Sequence, residues 1–273
     1  MQFDIILPLL ALLMGIGAFA GILAGLLGVG GGIVLVPAFF YTFTHLGYAS
    51  DEVMRICLAT SLATIIVTSA RSVHSHNKKG AVDWDILKTW APGIGIGAVI
   101  GVLAVSQLRS AALQGIFGGL GICIGLWMAF SKSEWRLGDE MPGTKARSIL
   151  SPIVGFLSVL MGIGGGSFGV PLMTLYGTPI HRAVATAAGF GALIAIPSVV
   201  AFLFVPVSPD VRPPLTIGAV NFGAFAIVVC MTMITAPIGA KIAHSLNPKP
   251  LKRVFALFLL LVAGNMLRKS LGL

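Results

Sequence analysis

Residues 21–37 read Gly-Ile-Leu-Ala-Gly-Leu-Leu-Gly-Val-Gly-Gly-Gly-Ile-Val-Leu-Val-Pro, and residues 155–171 read Gly-Phe-Leu-Ser-Val-Leu-Met-Gly-Ile-Gly-Gly-Gly-Ser-Phe-Gly-Val-Pro. Laid together without a gap, the two 17-residue windows share 9 identities. Gly28, Gly30, Gly31 and Gly32 fall on Gly162, Gly164, Gly165 and Gly166, and Pro37 falls on Pro171. Such a match inside one chain is what a duplication leaves. Each glycine in a helix gives up about 1 kcal/mol relative to alanine. Each run therefore reads as a break between two helical pieces.

A second set of matches keeps the same order. Gly80-Ala-Val-Asp-Trp84 resembles Gly218-Ala-Val-Asn-Phe222, and Gly101, Leu108, Leu113 and Phe117 match Gly239, Leu246, Leu251 and Phe255 at that offset. Ala59-Thr60 pairs with Ala185-Thr186 between them. The chain divides into a first repeat over 1–130, a polar linker over 131–148 and a second repeat over 149–273.

The surroundings of the glycine runs set the class of protein. The chain is 56% hydrophobic and 10% charged, with mean hydropathy +0.98. A soluble domain carries about a quarter charged residues. Apolar segments fall near 4–27, 32–46, 56–73, 86–106, 110–130, 149–162, 167–176, 183–206, 219–242 and 251–267, several of them long enough to cross a bilayer. The start, Met1-Gln-Phe-Asp-Ile, lacks the basic region of a signal peptide and reads as a first membrane segment. The expected fold is an all-α polytopic membrane protein. It has two pseudo-symmetric repeats, each a glycine-broken helical hairpin plus three transmembrane helices. The pieces 149–162 and 167–176 are too short to span, so the hairpins are expected to turn near the midplane. Irregular backbone at that depth needs protein or a wet cavity around it.

One hairpin and three spans bring each half out on the opposite side, which makes the repeats inverted, as in many secondary transporters. The basic loops 71–80, 131–148 and 241–253 then share the cytoplasmic side, as the positive-inside rule asks. Four full spans per half would give parallel repeats and put 241–253 outside. The inverted arrangement leaves Arg268 and Lys269 outside.

The net charge of +9 is accounted for by those loops, and no aromatic-basic interleaving points to nucleic acid. Cys57, Cys123 and Cys230 sit singly in apolar sequence and read as small core hydrophobes. The five histidines show no ligand spacing, so no metal is expected. No Walker motif or other cofactor signature follows the glycines. The nine acidic residues, Asp4, Asp51, Glu52, Asp83, Asp85, Glu134, Asp139, Glu140 and Asp210, lie in loops or at segment ends. The spans thus offer no proton relay or buried cation site.

What the breaks do offer suits an anion. A helix restarting at Ile33 or Ser167 points free N–H groups and a positive dipole end into the break. Glycine lets a ligand approach the backbone closely. The candidate substrate-binding residues are Gly30, Gly31, Gly32, Gly164, Gly165, Gly166 and Ser167, with Arg55, Arg182, Thr60, Ser61 and Thr186 as charge and hydroxyl donors. The plainer readings are tight helix packing for the glycines and interfacial anchoring for the arginines. For the hydroxyls the plainer reading is bonding to their own helix carbonyls. Asp83 and Asn221 read as helix N-caps.

At these residues the chain resembles the TauE/SafE family of sulfite exporters, small bacterial membrane proteins. The resemblance covers nearly the whole chain. It rests on both Gly-X-Gly-Gly-Gly-X4-Pro segments, the His181-Arg-Ala-Val-Ala-Thr186 stretch and the Gly-Ala-Val starts at Gly80 and Gly218. It implies a multi-pass inner-membrane exporter of sulfite, sulfoacetate or another organosulfonate, working by alternating access. An anion channel and a carrier of non-sulfur organic acids are the alternatives. The implied partners are a small anion and the bilayer, without nucleic acid, and a homodimer is left open. An enzyme would need a catalytic dyad or metal cluster in the spans, and the sequence has none. The first half departs from the pattern, reading Arg55-Ile-Cys-Leu-Ala-Thr60, which weakens the symmetry of a two-arginine site.

Overall fold

Glycine, proline and two side-chain caps punctuate the chain into helices. The computed structural model describes residues 3–27, 31–131, 135–245 and 248–272. The first half contributes α1 (Phe3–Leu27), α2 (Gly32–His45), α3 (Val53–Asn77), α4 (Trp84–Gln107) and α5 (Ser110–Phe130). The second contributes α6 (Thr144–Leu160), α7 (Gly166–Leu175), α8 (Ile180–Leu203), α9 (Phe222–Ser245) and α10 (Pro248–Ser270). Each half thus gives a helix, a break, a short helix and three long helices. Among the described residues α3, α4, α5, α8 and α9 are long and apolar enough to cross a membrane. The chain is an all-α multi-pass membrane protein.

Local chemistry explains the boundaries. The Asp83 side chain accepts from the Ile86 N–H at 3.1 Å to start α4, and Asn221 Oδ1 accepts from the Ala224 N–H at 2.8 Å to start α9. Both N-cap expectations hold. The matched glycines before them, Gly80 (φ 63°) and Gly218 (φ 55°), share the left-handed conformation that favours glycine. The short helices also end alike. Gly47 N–H bonds to Thr44 O and Tyr48 N–H to Phe43 O, while Gly177 N–H bonds to Thr174 O and Thr178 N–H to Met173 O. Both are glycine-terminated Schellman motifs.

Two details differ from the sequence reading. The helix α6 begins at Thr144, inside the polar linker, because the residues that follow Gly143, from Thr144 to Ser151, all tolerate helix. Between α8 and α9 the chain forms a two-stranded antiparallel hairpin, β1 (Thr216–Ile217) and β2 (Val220–Asn221), so the apolar segment expected from 219 opens as a strand.

The matched helices α3 and α8 pack side by side and run antiparallel. Glu52, before α3, accepts from the backbone of Ser208, beyond the end of α8. Thr186, near the start of α8, accepts from the backbone of Asp83, beyond the end of α3. The helices α5 and α10 are antiparallel as well: an added Cβ on Gly115 would meet Ser270, and one on Gly125 would meet Leu260.

The halves interleave instead of standing apart. Helix α1 packs along α9, and α6 packs along α4. Small residues allow the approach. An added Cβ on Gly101 would lie 3.2 Å from the carbonyl oxygen of Phe156, and one on the matched Gly239 would lie 2.1 Å from that of Ile22. Phe156 and Ile22 are themselves matched in the repeated windows. The fully buried core, with Leu58, Leu62, Ile65, Phe190 and Ile194 at its centre, gathers on α3 and α8.

Candidate functional site

The second glycine run is built from two pieces of backbone chemistry. Helix α6 stops in a Schellman motif, with Gly162 N–H on Val159 O at 2.9 Å, Ile163 N–H on Ser158 O at 3.0 Å and Gly162 at φ 60°. Helix α7 restarts at Gly166, and the Gly169 N–H is the first in it to find an acceptor, Gly165 O at 2.7 Å. In the first half, Gly31 at φ 73° precedes α2, and its carbonyl accepts from the Val34 and Leu35 N–H groups at 3.0 and 3.1 Å. Gly30 lies outside the described residues.

The two breaks touch. An added Cβ on Gly32 would stand 2.6 Å from the Gly162 carbonyl oxygen and 2.9 Å from the Ile163 Cα. Residues 31–37 and 161–167 are all buried. From this contact the short helices run to opposite ends of the molecule. The end of α2 is tied to the end of α10, where Asn265 Nδ2 donates to the Tyr41 hydroxyl at 2.5 Å and Lys269 lies 4.4 Å from the Tyr41 ring centre. The end of α7 is tied to the 131–143 link, Leu137 N–H donating to Leu175 O at 2.7 Å. Both N-termini therefore face the centre, each with a positive dipole end.

The packing at the centre is close. The Ser61 hydroxyl donates to Gly162 O at 2.7 Å. Gly165 lies against Phe190, where an added Cβ would meet the Phe190 Cβ at 2.2 Å. Ser61→Ala would leave that buried carbonyl without its side-chain donor. A loss of about 1–2 kcal/mol is expected, read as a lower thermal midpoint of the purified protein. The serine at the α7 start is different. Ser167 is 6% exposed and its hydroxyl has no hydrogen-bond partner among the described residues; Ser158, 0% exposed in the last turns of α6, is in the same state. Side chains on a helix tilt toward its N-terminus, which turns the Ser167 hydroxyl toward the break. Leaving a buried hydroxyl unpaired costs about 1–3 kcal/mol.

The remaining candidates lie elsewhere. Among the described residues Thr60 and Thr186, both 0% exposed, bond neither to their own helix carbonyls nor into the break. Each accepts a backbone N–H from the other half: Asn221 to Thr60 at 3.0 Å and Asp83 to Thr186 at 2.9 Å. The two hydroxyls are reciprocal inter-repeat bolts, and the signal was the ordered repeat of Ala-Thr and Gly-Ala-Val. Arg55 donates through Nε and Nη2 to Leu108 O at 3.4 and 3.2 Å and pairs with Glu52 at 3.5 Å. Arg182, at the start of α8, pairs with Asp83 at 3.1 Å. Because α3 and α8 are antiparallel, the two arginines sit at opposite ends of the molecule. They do not converge, and the two-arginine site expected from the sequence does not form here. Among the described residues no group of three or more His, Cys, Asp or Glu could hold a metal.

Paired, buried helix breaks at the centre of two interleaved repeats are an arrangement found in many secondary transporters. The sequence profile of the sulfite exporter TauE/SafE family matches residues 13–266, and the chain belongs to that family. A relative from Haemophilus influenzae, named a probable membrane transporter protein, is 32% identical over 93% of this chain and 96% of its own length. One from Methanocaldococcus jannaschii, named likewise, is 29% identical over 92% of both chains. A third, from Bacillus subtilis, is 29% identical over 64% of this chain and 71% of its own length. No solved structure matches.

Proposed function

We propose that this membrane transporter carries a small sulfur-containing oxyanion, such as sulfite or an organosulfonate, outward by alternating access around the paired breaks. The observation that carries the reading is the Ser167 hydroxyl, buried and without a hydrogen-bond partner among the described residues, beside the first N–H groups of α7, where the N-terminus of α2 also arrives. Each of those groups can donate a hydrogen bond, and an oxyanion is all acceptor. In this conformation the breaks are packed against one another, so loading needs them to part. The family's name favours a sulfur oxyanion over a carboxylate.

The repeats are read as inverted, with the antiparallel α3–α8 and α5–α10 pairs in support. The ends of α3, α5 and α9 and the starts of α6, α8 and α10 then share one side. Among the described residues most Lys and Arg lie there, whereas the other side has Arg55, Arg109, Arg212, Arg268 and Lys269. That assigns the richer side to the cytoplasm. A cytoplasm-negative potential drives an anion outward at about 2.3 kcal/mol per charge per 100 mV, without a coupling ion.

The test is flux in proteoliposomes with labelled sulfite, sulfoacetate and lactate at imposed potentials. Saturable, potential-driven flux of a sulfur anion is expected, with lactate slower. Flux that does not saturate would make the protein a channel, and no flux of any of the three would end the anion reading.

A further inference from the structure

We propose that the Asp83–Arg182 pair latches the cytoplasmic mouth and that an incoming oxyanion opens it by taking Arg182 away from Asp83. The proposal rests on the anion-transport reading above. Asp83 fastens the start of α4 to the start of α8 through two contacts and caps α4 through a third. Its N–H donates to Thr186 Oγ1 at 2.9 Å, its Oδ1 accepts from Ile86 N–H at 3.1 Å, and its Oδ2 accepts from Arg182 Nη2 at 3.1 Å. The Arg182 side chain is 53% exposed, and Asp83 is its one partner among the described residues.

The matched bolt at the far end lacks any charge. Asn221 donates its N–H to Thr60, but its amide is buried, 3% exposed, and committed to Pro214 O and Thr216 Oγ1 at 2.8 Å each. Aligning Ala59-Thr60 with Ala185-Thr186 puts Ile56 where Arg182 stands. Of the two matched bolts, the inner one is joined to an ion pair that a soluble anion can compete for; at the far end Arg55 pairs with Glu52 three residues before it and donates to Leu108 O, apart from the Asn221 bolt. A guanidinium fork takes a sulfonate as it takes a carboxylate, and an exposed pair is readily exchanged. Once Arg182 turns to the anion, α4 is held to α8 at this end by the Thr186 bond and the packing beneath it.

Asp83→Asn keeps the cap, since Asn caps as well as Asp, and keeps the backbone bond to Thr186. It removes only the competitor for Arg182. For sulfoacetate entering from the Arg182 side of proteoliposomes, Asp83→Asn should lower KM severalfold with kcat retained. Arg182→Gln should raise KM about tenfold, and the double variant should match Arg182→Gln. A second readout needs no transport. In a chain with Cys57, Cys123 and Cys230 replaced by alanine, Val82→Cys places a thiol at a buried position beside Asp83. Sulfoacetate at fixed ionic strength should speed its maleimide labelling from the inner side severalfold, Asp83→Asn should do so without sulfoacetate, and Arg182→Gln should abolish the sulfoacetate effect. A KM unchanged or raised in Asp83→Asn, or labelling indifferent to sulfoacetate, overturns the latch. Labelling that responds through Arg182 in a protein that moves no anion leaves the latch standing and removes the transport reading.

Discussion

Gly162→Ala should cost about 2–5 kcal/mol and leave little folded protein in the membrane. Two effects add. Gly162 holds φ 60°, where a side chain costs about 1–2 kcal/mol. Its Cβ would lie 2.7 Å from Val36 Cγ2, 2.8 Å from Leu58 Cδ2 and 3.1 Å from Leu58 Cα, overpacking that costs about 1–3 kcal/mol. The last of these atoms is backbone on α3 and cannot turn aside. Gly95→Ala is the control: nothing lies within 4 Å of its Cβ, and it sits inside α4, where alanine gains up to about 1 kcal/mol. Thermal midpoints of the two purified variants check the contrast. A Gly162→Ala protein as stable as Gly95→Ala would mean that the breaks are loosely packed.

Asn221→Ala should be nearly as damaging, at about 2–4 kcal/mol, and well above its sequence counterpart. The side chain caps α9 and donates to Pro214 O and Thr216 Oγ1 from a buried position. Losing the cap costs about 1 kcal/mol, and each buried acceptor left bare adds about 1 kcal/mol or more. Asp83→Ala removes a cap and a half-exposed ion pair, and the pair contributes about 0–1 kcal/mol. Its loss should stay near 1–2 kcal/mol. The comparison is read from unfolding midpoints in one detergent, and equal losses would contradict the burial difference between the two bolts.

Much of this architecture could be read from the chain. The repeated Gly-X-Gly-Gly-Gly-X4-Pro windows placed both breaks, and Asp83 and Asn221 announced the helix starts they cap. The interleaving could not be read, because Gly101 and Gly239 report that something approaches closely but not which helix does so. The arginines misled for a related reason. Spacing from the Ala-Thr pairs put Arg55 and Arg182 in similar places along α3 and α8, yet the antiparallel packing sends them to opposite ends. The hydroxyls of Thr60 and Thr186 bond across the repeats, a partnership that only tertiary structure creates. Ser167 was visible as the residue after the second glycine run; its lack of a partner was not.

Binding of labelled sulfite and sulfoacetate to purified wild-type and Ser167→Ala protein tests the anion site at the breaks most directly. A hydrogen bond to a charged ligand contributes about 1.5–3 kcal/mol, so affinity should fall roughly 10- to 100-fold with the thermal midpoint unchanged or raised. Equal affinity in the two proteins would contradict an anion site at the start of α7.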